Sequence, residues 1–207
     1  MKKLFLFVLL FFQVFSFSFN ILDETQKDIS ALQFDIKEPL LFSTTFLVDG
    51  KVKRLELSKF DNFCFETINN LDEKDFLILT ALAAGITYFD DPALSYTILE
   101  STFFTSVVTY AMKISIGRGR PYAYDSPFVF KPFSFEDKNF SFPSGHSSFA
   151  WALFTPLAER YNKGLYIFPI LFSISRVVGN YHWLSDVIFG AFIGYTISKC
   201  FYYIYYN

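Results

Sequence analysis

Residues 144–207 carry only six charged side chains: Glu159, Arg160, Lys163, Arg176, Asp186 and Lys199. Helices that apolar cannot present a water-compatible face all round, so they must pack against one another or against lipid. Three apolar segments fall in this tract, at 147–160, 165–181 and 184–206. Upstream, "ALSYTILESTFFTSVVTYAMKIS" meets a single acid, Glu100, before Lys113. "NNLDEKDFLILTALAAGITYFDD" reads as a further helix, with Asn70 or Asp72 as its cap and Asp90-Asp91-Pro92 as its stop. A membrane span needs about 20 apolar residues. Residues 94–112 and 187–206 reach that length, whereas 77–89 and 147–160 are short and the latter contains Pro156. Charged residues are 18% of the chain, against about 25% in an average soluble domain. The expectation is an all-α bundle of about five core helices, membrane-embedded, with a secreted soluble bundle as the alternative. Gly190 and Gly194 have the G-x-x-x-G spacing that allows close helix contact.

The N-terminus begins with Lys2 and Lys3, then an apolar run at 4–15, then Ser16 and Ser18. That order predicts a secretory signal over residues 1–18, or the same segment kept as an anchor. Residues 19–70 carry little pattern, except that "FSTTFLVDGKVKRLELS" reads as a hairpin turning at Asp49-Gly50. Residues 71–207 form the helical domain. A net charge of −2 gives no basis for a nucleic-acid partner. Cys64 and Cys200 define no metal framework.

Three polar clusters interrupt the apolar pattern. "KISIGRGRP" brings Lys113, Arg118 and Arg120; "FPSGHSS" brings Ser144, Gly145 and His146; "SRVVGNYHWLSD" brings Arg176, His182 and Asp186. The last two contain both histidines of the chain. Two helix crossings separate the second and third clusters, so an up-and-down bundle brings all three to one end. With Arg160 and Lys163 in an inner turn, that end faces outward. Lys113, Arg120 and Arg176 together call for an anion, and guanidinium groups suit phosphate oxygens. Ser144 and Gly145 at a helix start add a hydroxyl and backbone N–H groups. His182 and Asp186 are four apart and share a helix face. A carboxylate that fixes one ring nitrogen leaves the other as a nucleophile, while His146 is placed for acid–base work. Singly, each residue has an ordinary explanation. Arginines anchor helix ends at interfaces, Asp186 or Ser185 can cap the last helix, and Arg118 reads as a solvated loop charge.

The clusters resemble the three-part signature of the type 2 phosphatidic acid phosphatase superfamily: K-x6-R-P at Lys113 to Arg120-Pro121, P-S-G-H at Pro143 to His146, and S-R-x5-H-x3-D at Ser175 to Asp186. The resemblance implies a helical phosphatase that needs no metal or other cofactor. His182 would form a phosphohistidine, Asp186 would orient it and His146 would serve as acid–base. Lys113, Arg120, Ser144, Gly145 and Arg176 would hold phosphate. The oily body and signal-like start favour a lipid substrate: phosphatidic acid, phosphatidylglycerol phosphate or undecaprenyl diphosphate. They also favour a bacterial inner membrane, with the site facing the periplasm. A soluble periplasmic acid phosphatase is the alternative enzyme. A vanadate-dependent haloperoxidase, which would use the same donors for vanadate, is a remote one.

Overall fold

The computed structural model describes residues 37–54 and 63–207, so the expected signal over 1–18 lies outside the described residues. Seven α-helices occur among the described residues: α1 Lys37–Arg54, α2 Phe63–Asn69, α3 Glu73–Tyr88, α4 Pro92–Ile116, α5 Gly145–Arg160, α6 Ile167–Val178 and α7 Leu184–Tyr206. No strand occurs among them, and a lone bridge pairs Arg118 with Phe130 in the α4–α5 loop. The hairpin expected at Asp49-Gly50 is therefore wrong over its described part, because α1 runs straight through it. The Asp-Gly pair mimics a turn, but the Asp49 side chain is committed to tertiary bonds made from a helix.

Helix ends follow local chemistry. Asp72 caps α3 by accepting from the N–H groups of Lys74 and Asp75, and Asp75 returns a bond to the Asp72 N–H. Asp91 caps α4, whose first residue is Pro92. Gly117 ends α4 at φ +60°, where a side chain would collide with the Lys131 carbonyl. This stop sends the chain from Lys113 directly into Arg118 and Arg120.

The centre of the bundle is the packing of α5 on α7, with α4 against both. A Cβ on Gly190 would lie 2.6 Å from the Ser144 carbonyl oxygen, and one on Gly194 would overlap the Ser148 carbonyl. The G-x-x-x-G spacing thus marks a backbone-to-backbone crossing of α7 on α5. Pro156 inside α5 cannot donate to the Ala152 carbonyl, and Ser198 from α7 supplies that bond at 2.9 Å.

Polarity is distributed inside out. Thr97, Ser101, Thr105 and Thr109 are fully buried and fall every fourth residue along α4, in line with Lys113. Leu77, Ile78, Leu82, Ile86 and Phe89 on or beside α3 are exposed, as are Leu99, Phe103 and Val107 on α4. Of the two segments expected to be long enough to span, α7 alone among the described residues meets both length and composition, with mean hydropathy 1.4.

Candidate active site

The C-terminal ends of α4 and α6 and the N-terminal ends of α5 and α7 meet at one end of the bundle. Between them lies a cavity of about 380 Å3, lined by Lys113, Arg120, Gly145, His146, Arg176 and His182, with Asn69 to Asp72 closing one side. Six of the eight expected site residues thus share one wall. Ser144 and Asp186 do not line it; both are fully buried behind it, and the Ser144 N–H donates to the Asp186 carbonyl at 2.9 Å.

Each cation is held by backbone or side-chain oxygen. Lys113 donates to the Phe140 carbonyl at 2.7 Å. Arg176 donates to the carbonyl and side-chain oxygens of Asn69 at 3.2 and 3.0 Å and lies over the Tyr181 ring at 4.2 Å. Arg120 pairs with Asp137 at 2.9 Å, and Tyr122 donates to the other oxygen of that carboxylate at 2.8 Å. Even so, Nε of Arg120, Nε of Arg176 and Oγ of Ser144 are buried without a partner. A buried donor left unpaired costs about 1–3 kcal/mol. Two of these donors, on Arg120 and Arg176, belong to residues that line the cavity and suit an acceptor-rich anion; the Ser144 hydroxyl is buried behind the wall.

His182 sits in the turn between α6 and α7, 3% exposed. Its Nδ1 lies 2.7 Å from the Ser141 carbonyl, which can only accept, so Nδ1 carries the proton and Nε2 the lone pair. Burial first, and then the nearby Arg120, Lys113 and Arg176, hold its pKa well below that of a free histidine, which keeps the ring neutral. On α5, His146 donates from Nε2 to the Leu71 carbonyl at 2.6 Å, which leaves Nδ1 for proton transfer. Phe76 packs edge-on against the His146 ring.

Two expectations need correction. Asp186 was expected to hold His182 directly, but its carboxylate is 3.8 Å from Nδ1. It instead accepts from the Ser141 hydroxyl at 2.5 Å and from the Trp183 N–H at 2.8 Å, so it acts on His182 through Ser141 and through the start of α7. The cap of α7 is Trp183; Ser185 and Asp186 lie inside its first turn. The second correction is Arg118. It is no solvated loop charge: it is fully buried, bonded to Asp186 at 2.6 Å and to Asp49 at 2.8 Å. Sequence reasoning also passed over Ser141, Asn69 and Asp137. Only Asp137 carries a charge that a pattern search registers, and none of the three sits at a motif spacing.

The model of the PAP2 superfamily matches residues 94–207, more than half of the 207-residue chain. A lipid A 1-phosphatase of Rhizobium johnstonii is 35% identical over 100 residues, which is 46% of this chain and 41% of that protein. Its counterpart in Rhizobium etli is 33% identical over 102 residues, 47% of this chain and 44% of that one. The chain therefore spans less than half the length of these curated relatives. A crystal structure of a transmembrane PAP2-type phosphatidylglycerolphosphate phosphatase from Bacillus subtilis shares the fold. Its TM-score is 0.51 at 20% identity, covering 82% of this chain and 94% of that one. With motif residues gathered from four helix ends, on the fold of a solved relative and under a family model that covers the whole cavity-forming segment from α4 onward, this chain belongs to the PAP2 superfamily.

Proposed function

We propose that this protein is a phosphatase that releases phosphate from a phosphorylated lipid by way of a phosphohistidine on His182. The observation that carries the reading is the single cavity shared by two histidines and three cations, with unpaired buried donors among its residues. In the first step Nε2 of His182 forms a bond to phosphorus as the bond to the leaving oxygen breaks. His146, protonated on Nδ1 as well as Nε2 while the substrate's phosphate fills the cavity, gives that oxygen its Nδ1 proton and becomes neutral. Lys113, Arg120 and Arg176 stabilise the charge that gathers on the phosphoryl oxygens. In the second step His146 takes a proton from water, the water oxygen attacks phosphorus, and the phosphorus–nitrogen bond breaks. Phosphate leaves and His182 is restored.

A lipid substrate is favoured by the apolar exterior and by the candidate span α7. Relatives named lipid A 1-phosphatases add lipid A to phosphatidic acid, phosphatidylglycerol phosphate and undecaprenyl diphosphate as candidates. The placement that suits these substrates is a bacterial inner membrane with the cavity opening to the periplasm. The purified protein in detergent, assayed against these four lipids, is expected to release inorganic phosphate from at least one. His182→Ala is expected to lower turnover by at least about a thousandfold, as loss of a nucleophile does. Acid-labile phosphate trapped on wild type, absent from His182→Ala, identifies the intermediate. Equal turnover by the two proteins overturns the reading.

A further inference from the structure

Asp49 lies on α1, outside the residues 94–207 matched by the family model. It is 1% exposed, and both carboxylate oxygens are in use. Oδ1 accepts from the Ser185 N–H at 2.9 Å; Oδ2 accepts from the Ser185 hydroxyl at 2.6 Å and from Nη2 of Arg118 at 2.8 Å. Arg118 turns its other terminal nitrogen to Oδ1 of Asp186 and to the Ser185 hydroxyl, both at 2.6 Å, and donates from Nε to the Pro127 carbonyl at 2.9 Å. Phe46 from α1 lies 4.7 Å from the guanidinium carbon and Trp183 5.7 Å, so the cluster is walled by aromatic rings.

Two consequences follow for His182. The first is mechanical. Trp183 makes no side-chain cap on α7, and Asp49 does that work from another helix by binding the Ser185 N–H. The turn of helix that carries Asp186 is thereby pinned, and His182 precedes it by two residues. The second is electrostatic. Arg118 alone would neutralise Asp186. With Asp49 and Asp186 both ionised against one guanidinium, the cluster carries net negative charge behind a ring that becomes cationic when Nε2 bonds to phosphorus while Nδ1 stays protonated. That charge also offsets the cations on the cavity side.

We propose that Asp49 is a positioning residue for the phosphoryl-transfer site, acting through Arg118, Ser185 and Asp186 on His182. The proposal rests on the phosphatase reading for its effect on turnover, but not for its effect on the histidine itself. Groups facing His182 are Lys113 from α4, Arg120 from the α4–α5 loop, His146 from α5, Arg176 from α6 and Asp186 from α7. Any titration of His182 reports on their sum.

The test uses the full chain in detergent with isotope-labelled histidine. The chain has only two histidines, so a His146→Gln variant assigns both sets of resonances. Asp49→Asn is expected to lower kcat on the order of 10–100-fold, the range for losing a group that orients an active-site side chain. KM is expected to stay within about twofold, because Asp49 does not line the cavity. The His182 ring resonances are expected to move while those of His146 stay, and Asp49→Glu is expected to recover part of kcat by restoring the charge. A folded Asp49→Asn protein with wild-type kcat and unmoved His182 signals overturns the proposal. So does a loss of melting temperature with unmoved His182 signals, since that is a staple and no more. If Asp49→Asn does not yield folded protein, Ser185→Ala decides on the same spectra: moved His182 signals support the coupling, and unmoved ones overturn it. If wild type releases no phosphate from any lipid, the phosphatase reading fails while the spectra still judge the coupling of Asp49 to His182.

Discussion

At the scale of single residues, a fully buried cation stands behind the cavity without lining it. Arg118 is enclosed by two carboxylates, a hydroxyl, a carbonyl and aromatic rings, with no exposed surface. Removing one partner of a buried ion pair costs on the order of 3–5 kcal/mol, because the other charge is left behind. Arg118→Met strands two carboxylates and is expected to lower the melting temperature in detergent sharply. Arg118→Lys keeps the charge but loses the planar fork that reaches Asp49 and Asp186 at once, so it is expected to recover only part of the loss. A melting temperature for Arg118→Met equal to wild type would contradict this account. The motif residues were legible because ionisable groups in an apolar tract advertise themselves, and their order along the chain implied a common end. Arg118 was not, although it stands two residues from Arg120. Its burial depends on Asp49, 69 residues earlier in the chain, and no local spacing reports such a pair. The indirect link from Asp186 to His182 was hidden for a related reason. Four-residue spacing puts both on one helix face only if both are helical, and His182 lies in the turn before α7.

At the scale of elements, α5 and α7 make the contact that aligns the cavity walls, since α5 begins at Gly145 and α7 begins just after His182. Gly190 and Gly194 bring the α7 backbone against that of α5, and the Ser144 N–H bonds to the Asp186 carbonyl across the same crossing. Gly194→Val would drive a branched side chain into the Ser148 carbonyl and the Ala152 backbone. Overpacking of this kind costs about 1–3 kcal/mol. The same substitution at Gly85 meets open space, with nothing within 4 Å of its Cβ. Gly194→Val is therefore expected to lose stability and turnover together, while Gly85→Val stays within about 1 kcal/mol of wild type, because valine meets no neighbour there and is a better helix former than glycine. Matching melting curves for the two variants would show that the crossing tolerates separation. Helices α3, α4, α5 and α7 were legible because caps, prolines and long apolar runs mark them. The stretch around Asp49-Gly50 was misread because Asp-Gly carries the strongest short-range hairpin signal. Tertiary bonds from Asp49 outweighed it.

At the scale of the whole molecule, the distribution of polarity bears on the two environments left open by the sequence and favours the membrane. Buried positions are rich in serine and threonine, while the exterior displays phenylalanine, leucine and isoleucine. A soluble bundle sorts residues the other way, because water drives apolar surface inward. In lipid that drive is absent, and small or hydroxyl-bearing side chains favour close packing between helices instead. The loop leading from α4 to α5, at the cavity end, exposes Tyr122, Phe128, Phe130, Phe133 and Phe135, interspersed with Lys131, Asp137 and Lys138. Aromatic side chains mixed with charges suit the boundary between headgroups and acyl chains. This arrangement suits a cavity held level with lipid headgroups, as the proposed lipid substrate requires. The expected behaviour is retention in the membrane pellet after washing with high salt and with alkaline carbonate, and extraction by mild detergent with activity intact. High salt removes proteins held by charge, and carbonate opens vesicles to release soluble contents, so only an embedded chain survives both. Release into carbonate without detergent, with full activity in buffer, would instead identify a soluble periplasmic phosphatase and would require another explanation for an exterior of exposed phenylalanine and leucine.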